Sequence, residues 1–130
     1  MTITLADRFE LQDLVFNYAH GIDRRDEALF AGLWTPGAIW HFVDEGGLGK
    51  LVGYDAIMKG YRQATAGGRR MHHLSSNLIL DATASPITGH SDSVATGRET
   101  PLFLSYTDEY VKLDGVWKFQ LREVHAHLES

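Results

Sequence analysis

The sequence contains no cysteine among its 130 residues. This absence excludes disulfide bonds, thiolate metal ligands and a cysteine nucleophile. Basic residues are also in the minority, because 12 lysines and arginines stand against 17 aspartates and glutamates, a formal net charge of −5. An acidic chain without a basic run or a base-stacking motif argues against nucleic acid and anionic membranes as partners.

Long hydrophobic runs are absent as well. The first residues, MTITLADRFELQDL, hold a short apolar patch that is broken by Asp7, Arg8 and Glu10. Such a patch is typical of neither a signal peptide nor a membrane-spanning segment, so we expect a cytoplasmic protein. The length corresponds to one domain, residues 1–130, without a repeat or a linker.

The usual signatures of nucleophilic and metal catalysis are also lacking. There is no glycine-rich phosphate loop, no GxSxG and no HExxH. The pair His125 and His127 lies four residues from the end of the sequence with no obvious carboxylate triad, and a protein metal site needs more ligands than two. The sequence therefore predicts neither a metal site nor a cofactor.

Three segments have the spacing of helices. Apolar residues at three- and four-residue steps predict an amphipathic helix over residues 5–22, with Gly21 as its terminator. A shorter helix is predicted over residues 25–33, and Thr35-Pro36-Gly37 ends it. A third helix is predicted over residues 54–66, closed by two glycines.

The remaining segments have the character of strands. They are predicted at residues 38–43, 50–52, 71–80, 91–99, 102–113 and 116–125. The dipeptide Asp114-Gly115 predicts a tight hairpin between the last two. This order favours an α+β fold, a cone-shaped barrel in which three N-terminal helices pack on a curved, mostly antiparallel sheet and enclose a small-molecule pocket.

Tyr18 and Asp23 are the first candidates for chemistry. Tyr18 lies on the apolar stripe of the first helix, where it is either a core residue with its hydroxyl tied to a backbone carbonyl or part of an active site. Asp23 is either the N-cap of the next helix or a functional carboxylate. Five residues of helix turn through about 500°, which leaves the two side chains about 140° apart, so the spacing permits a joint site without requiring one.

The predicted strand at residues 71–80 carries a second set of polar groups. Alternation places His73, Ser75, Asn77 and Ile79 on one face, and the intervening residues on the other, more apolar face. The face with His73 is either solvated or the polar lining of a cavity. Alternation gives the same pattern in both cases, so both interpretations stay open.

These segments together resemble a known family. The first helix running into Tyr18-(x)4-Asp23, the strand with His73-x-x-x-Asn77 and the closing segment YTDEYVKLDGVWKF, residues 106–119, are similar to SnoaL-like proteins of the nuclear transport factor 2-like superfamily. Scytalone dehydratase, bile acid 7α-dehydratase and hexachlorocyclohexane dehydrochlorinase belong to this group. The resemblance extends from about residue 6 to residue 123.

The resemblance implies an enzyme with an Asp–His dyad, formed here by Asp23 and His73. Imidazole titrates near neutral pH, and a carboxylate beside it fixes its tautomer and stabilises its protonated form. Tyr18 would donate a hydrogen bond to a departing hydroxyl or an enolate oxygen, since bile acid 7α-dehydratase has a tyrosine five residues before its aspartate. The dehydrochlorinase has a lysine there, which argues against halide elimination. The implied function is that of a cofactor-independent lyase or isomerase, dehydratase-like in type.

The resemblance also suggests the substrate class and the assembly. A hydrophobic cyclic substrate, similar to a polyketide or a steroid, would contact apolar walls, and one amide would orient it. The candidate substrate-binding residues are Trp34, Trp40, Phe42, Met58, Tyr61 and Asn77. Relatives commonly associate through their sheets, so we expect a homo-oligomer, a dimer or a trimer. The alternative is a non-catalytic small-ligand binding protein or the small subunit of a ring-hydroxylating dioxygenase.

Overall fold

The computed structural model describes residues 2–68 and 70–127, which form three helices and six strands. The helices are α1 (Leu5–Asp23), α2 (Glu27–Ala31) and α3 (Tyr54–Thr65). The strands are β1 (Trp34–Phe42), β2 (Lys50–Val52), β3 (His72–Asp81), β4 (Ile87–Thr96), β5 (Leu102–Leu113) and β6 (Val116–His127). All six strands belong to one sheet in the order β2-β1-β6-β5-β4-β3.

The sheet is open and mixed, and the helices cover one face of it. Strand β1 pairs parallel with β6, whereas the other neighbouring strands pair antiparallel. Helix α1 packs on β3 and β6, and α3 packs on β1 and β2. The core lies between these helices and the inner face of the sheet. The prediction of an α+β fold with helices on a mostly antiparallel sheet is confirmed. In the part of the chain that the structure describes, no helix is long and apolar enough to cross a membrane.

The start of α1 is fixed to the sheet by a capping box. The Thr4 hydroxyl accepts the Asp7 backbone N–H, and the Asp7 carboxylate accepts the Thr4 N–H. Asp7 Oδ1 also accepts the indole N–H of Trp117 at 2.9 Å and the ammonium of Lys112 at 3.2 Å. One carboxylate therefore caps the helix and ties it to β5 and β6.

The end of α1 differs from the prediction. The helix continues through Gly21 to Asp23, so the prediction of Gly21 as a terminator was wrong. A Cβ at Gly21 would lie 3.0 Å from the Cβ of Phe30, closer than side chains normally approach. Glycine is present because α2 packs closely on this turn of α1, and not because the helix stops there.

Two strand boundaries also differ. Strand β1 begins at Trp34 instead of residue 38, because an irregularity in its pairing with β6 between Trp34 and Ile39 accommodates the segment with Pro36. Strand β4 runs from Ile87 to Thr96 instead of residues 91–99, because it pairs with β5 along its whole length. The hairpin prediction is confirmed, since only Asp114 and Gly115 lie between β5 and β6 and both have positive φ angles, 51° and 80°.

Candidate active site

Asp23, the last residue of α1, and His73, near the start of β3, form a close pair. Asp23 Oδ1 lies 2.6 Å from His73 Nδ1, and Asp23 Oδ2 accepts the His73 backbone N–H at 2.6 Å. The two side chains are 9% and 7% exposed, respectively. A carboxylate acts as an acceptor, so this contact favours the tautomer with the proton on Nδ1 and leaves the Nε2 lone pair available as a base.

The double contact also settles the local role of Asp23. The N-cap of α2 is Asp26, whose carboxylate accepts the Leu29 N–H, so the interpretation of Asp23 as that cap was wrong. Because Asp23 holds both the ring and the backbone of His73, the imidazole has little freedom to rotate. The orientation of the His73 imidazole is thus set at the point where α1 ends against β3.

Tyr18 lies deeper in the molecule, one and a half turns before Asp23. It is 3% exposed, and its hydroxyl accepts the indole N–H of Trp40 at 3.2 Å. Burial raises the pKa of Tyr18 well above its usual value, so the phenol keeps its proton. Its ring is in contact with those of Phe30, Trp34, Trp40, Tyr106 and Phe119.

A second charged pair, which the sequence did not lead us to expect, lies in the core. Arg122 Nε donates to Asp108 Oδ1 at 3.0 Å, and both side chains are fully buried. Tyr110 donates to the other oxygen of Asp108 at 2.8 Å, and Arg122 Nη2 donates to the Ser91 hydroxyl at 3.3 Å. Burial raises the pKa of the Asp108 carboxyl, whereas the neighbouring guanidinium acts in the opposite direction.

Tyr106 contacts the core pair and is influenced by the charge of Asp23. The Arg122 guanidinium carbon is 3.7 Å from the centre of the Tyr106 ring and 4.2 Å from that of Tyr18, both within cation–π range. Burial raises the pKa of Tyr106. The Arg122 guanidinium lowers this pKa, and the Asp23 carboxylate raises it. Tyr106 is therefore within electrostatic reach of both the core pair and the dyad.

The predicted apolar walls are tightly packed. Trp34, Trp40, Met58 and Tyr61 are each at most 3% exposed, and Phe42 is half-buried against Trp40. Tyr61 stacks on Phe30 and donates its hydroxyl to the Gly21 carbonyl at 2.7 Å. Trp34 and Trp40 contact Tyr18 directly, whereas Phe42 joins this aromatic cluster through Trp40 and Tyr61 joins it through Phe30.

Two cavities lie away from the dyad. The first, of about 420 Å³, lies between α1 and β3, and the second, of about 570 Å³, lies near the β5–β6 hairpin. The first is lined by Arg8, Gln12, Val15, Phe16, Ser75, Ser76, Asn77, Leu78 and Leu80. The second is lined by Ala31, Trp34, Pro36, Tyr54, Leu113, Asp114, Val116 and Lys118. Neither is lined by Tyr18, Asp23 or His73.

Asn77 does not share the face of His73. Its φ angle is +57°, and the pairing of β3 with β4 shifts between Ser76 and Ile79, as expected of a β-bulge. The bulge reverses the alternation, so Ile79 is 70% exposed. The Asn77 amide donates to Asp92 at 3.3 Å. The prediction that Asn77 and Ile79 lie on the face of His73 was wrong, because alternation assumes an uninterrupted strand.

The candidate site thus contains an imidazole held by a carboxylate at the end of the first helix, in a domain whose interior is rich in aromatic rings. Within residues 2–68 and 70–127, no group of three or more histidine, aspartate or glutamate side chains is arranged to hold a metal ion. This combination of an α+β fold and an Asp–His pair defines the class of protein.

Comparison with known proteins identifies that class. The family model described as SnoaL-like domain matches residues 4–123, so the chain belongs to the SnoaL-like family. Hexachlorocyclohexane dehydrochlorinase 1 of Sphingobium indicum (strain B90A) is 30% identical over 122 residues, covering 88% of this chain and 77% of the relative.

Solved structures agree with this assignment. The crystal structure of hexachlorocyclohexane dehydrochlorinase LinA-type3 from Novosphingobium barchaimii is similar with a TM-score of 0.83 and 26% identity, covering 97% of this chain and 90% of that chain. A nuclear transport factor 2-like protein of unknown function from Pseudomonas putida has a TM-score of 0.82 and 13% identity, covering 98% and 92%. The second likeness shows the fold alone.

Proposed function

We propose that this protein is a cofactor-independent lyase or isomerase of the dehydratase type, acting on a hydrophobic cyclic substrate. The observation that carries the proposal is the 2.6 Å contact between Asp23 Oδ1 and His73 Nδ1 in a nearly closed site. Its relatives in the family are dehydrochlorinases, which supports an elimination that starts with the loss of a proton.

In this proposal His73 is the general base. Nε2 takes a proton from a carbon next to a carbonyl or a leaving group, and Asp23 stabilises the imidazolium that forms. The electrons of the broken C–H bond form the new double bond or an enolate. In a dehydration the C–O bond then breaks and the departing hydroxyl takes up the proton that His73 removed, so that one water is released for each substrate and His73 is neutral again.

Tyr18 is the proposed donor to the departing hydroxyl or the enolate oxygen. Its hydroxyl already accepts the Trp40 N–H, so the phenolic proton is directed to another acceptor. Its raised pKa, caused by burial, suits a hydrogen-bond donor better than a base. Trp34, Trp40, Phe42, Met58 and Tyr61 would supply apolar contacts.

The test is turnover of a panel of cyclic β-hydroxy ketones and chlorinated cyclohexanes, measured by loss of substrate and by exchange of the acidic C–H with solvent deuterium. Wild type should convert or exchange at least one compound of the panel, and His73→Ala and Asp23→Asn should both lose most of this rate. Wild-type rates in both variants would refute the dyad.

A non-catalytic ligand carrier is the second candidate, since the interior is packed with aromatic rings and the two described cavities lie away from the dyad. Saturable binding of members of the same panel without turnover or exchange would favour it. A dioxygenase subunit would instead co-purify with a larger oxygenase chain.

We also propose that the protein is a homo-oligomer, a dimer or a trimer. The outer face of the sheet exposes Leu74, Ile79 and Phe103 by 66%, 70% and 49%, a large apolar contribution for one surface. Light scattering of wild type should give the mass of an oligomer, and Leu74→Glu should shift it toward the monomer. A monomeric wild type would contradict the proposal.

A further inference from the structure

Four buried side-chain polar groups in the part of the chain that the structure describes have no hydrogen-bond partner; one is the Trp34 indole N–H, and the other three lie on adjacent strands of the sheet. These three are Ser93 Oγ, the Tyr106 hydroxyl and Arg122 Nη1. Their side chains belong to residues that are 2%, 1% and 0% exposed. Buried polar groups are nearly always paired, so three unpaired donors in one region indicate a missing partner, either water or a ligand.

The three groups converge on one region of the inner face. They come from the adjacent strands β4, β5 and β6. Arg122 lies against the Tyr106 ring, and Ser93 is close enough to the Tyr106 hydroxyl to lower the pKa of that phenol, without reaching it in hydrogen-bond geometry.

The other nitrogens of Arg122 are already engaged. Nε donates to Asp108 and Nη2 donates to Ser91, which leaves Nη1 as the free end of the guanidinium. Two hydroxyls and a cationic N–H offer hydrogen bonds to an oxygen that carries negative charge. The rings of Tyr18 and Phe119, which also pack on Arg122, present apolar surface beside these donors.

We propose that Ser93, Tyr106 and Arg122 form a subsite for the carbonyl, enolate or phenolate oxygen of a cyclic ligand. The ligand carbon that loses its proton would then face His73, since Tyr106 is near enough to Asp23 for the carboxylate to raise its pKa. This subsite rests on the proposed function for its place in the reaction. It also specifies the substrate class: an oxygen-bearing ring, unlike the hexachlorocyclohexane in the names of the relatives.

Two tyrosines on β5, Tyr106 and Tyr110, allow a test of whether the Tyr106 hydroxyl binds a ligand or stabilises the fold. Tyr106→Phe removes a hydroxyl without a partner, so the melting temperature should stay equal or rise. Tyr110→Phe removes a hydroxyl that donates to Asp108, so the melting temperature should fall. A structural role for the Tyr106 hydroxyl predicts a fall in both variants.

The binding test uses 4-nitrophenolate, a planar ring with one anionic oxygen and a visible absorbance that reports its environment. Wild type and Tyr54→Phe, a tyrosine 40% exposed at the start of α3, should bind the probe with equal affinity. Tyr106→Phe and Ser93→Ala should bind it about tenfold or more weakly, the loss expected for one hydrogen bond to a charged group. Wild-type affinity in both variants, or no saturable binding by wild type, would overturn the subsite.

One further variant distinguishes this proposal from the proposed function. His73→Ala should bind 4-nitrophenolate like wild type, because the base does not contact the oxygen. If His73→Ala loses turnover while Tyr106→Phe binds the probe normally, the lyase proposal stands and the subsite falls. If probe binding depends on Tyr106 and Ser93 while His73→Ala turns over normally, the subsite stands and the lyase proposal falls.

Discussion

Helix α1 is joined to the sheet by an aspartate at each end, and the partners of these two aspartates differ. At the start, Asp7 accepts hydrogen bonds from the Thr4 backbone, the Trp117 indole and the Lys112 ammonium. At the end, Asp23 accepts from the backbone of His73 and contacts its ring. The same residue type thus holds the same helix by two chemically different contacts.

The two ends of α1 differ in whether the partner of the aspartate can take up and release a proton. The indole and the backbone amide that face Asp7 do not titrate, and the ammonium of Lys112 acts only as a hydrogen-bond donor, so this end can only hold the helix in place. The imidazole that faces Asp23 has a second nitrogen free, so the other end can also exchange a proton with a substrate. The partner, and not the carboxylate, separates a structural contact from a candidate for catalysis.

The largest expected effect is at the end of α1 that contacts His73. His73→Ala should lower the turnover of any substrate found by the panel on the order of 100- to 10,000-fold, because the proposed general base is lost. His72→Ala is the matched control, since His72 is the preceding residue and is exposed on the other face of β3. Steady-state kinetics would measure both, and equal losses in the two variants would contradict a specific role for His73.

A third aspartate, Asp108, extends the comparison to the core. Arg122→Met should lower the free energy of unfolding by about 3–5 kcal/mol, because it leaves Asp108 buried without its cation. Urea denaturation would measure the loss. The double variant Asp108→Leu with Arg122→Met removes both charges and should recover much of the stability. A double variant no more stable than Arg122→Met would show that packing, and not the unpaired charge, dominates.

The contribution of the capping end of α1 to the stability of the fold should depend on pH. Hydrogen bonds from the Thr4 backbone and the Trp117 indole hold the pKa of Asp7 well below its usual range. The ionised Asp7 therefore stabilises the fold above about pH 3.9, the ordinary pKa of aspartate in an unfolded chain, and this contribution is lost as the pH falls from there through the lower pKa of the folded state.

Asp7→Asn tests this dependence. It should be less stable than wild type at pH 7, by less than Arg122→Met is, and the difference should shrink as the solution becomes more acidic than pH 3.9. Denaturation at a series of pH values would measure it, with Asp13→Asn, an exposed residue of α1, as the control. A difference that does not vary with pH would exclude the ionised carboxylate as its cause.

The smallest effect is expected from the cap itself. Thr4→Ala removes the hydroxyl that accepts the Asp7 N–H and should lower the stability by about 1 kcal/mol, without change in turnover. Thr2→Ala, an exposed residue before the cap, is the control. A loss of turnover in Thr4→Ala larger than its loss of stability would show that the two ends of α1 are coupled.

Sequence patterns predicted the features that depend on local rules. The hairpin at Asp114-Gly115 follows from turn chemistry, and the amphipathic helix follows from its apolar spacing. The pairing of Asp23 with His73 joins residues fifty positions apart, so it came from the family resemblance and not from spacing. The structure places the two within hydrogen-bond distance, whereas their catalytic role stays a prediction.

The buried pair of Asp108 and Arg122 shows where predictions from alternation fail. Along β5, simple alternation places Asp108 with Leu104, Tyr106 and Tyr110 on the inner face, a signal that was available and went unused. Along β6 the same rule fails, because the pairing of β5 and β6 shifts between Glu109 and Tyr110. Alternation from Trp117 and Phe119 would place Arg122 outside, and the structure buries it.

The bulge in β3 likewise makes alternation place Asn77 on the wrong face of its strand. A single irregular residue exchanges the two faces of the strand, and neither composition nor alternation shows where it occurs. Register shifts therefore account for both Arg122, which the sequence interpretation missed, and Asn77, which it placed on the wrong face.

The most direct test of the central claim is the tautomer of His73, measured by nitrogen-15 NMR of the imidazole at a pH where the ring is neutral. The account predicts a protonated Nδ1 hydrogen-bonded to Asp23 and an unprotonated Nε2, with this preference weakened in Asp23→Asn. A neutral His73 with its proton on Nε2 would contradict the account, because the free lone pair would then lie on Nδ1, which faces Asp23 and not a substrate.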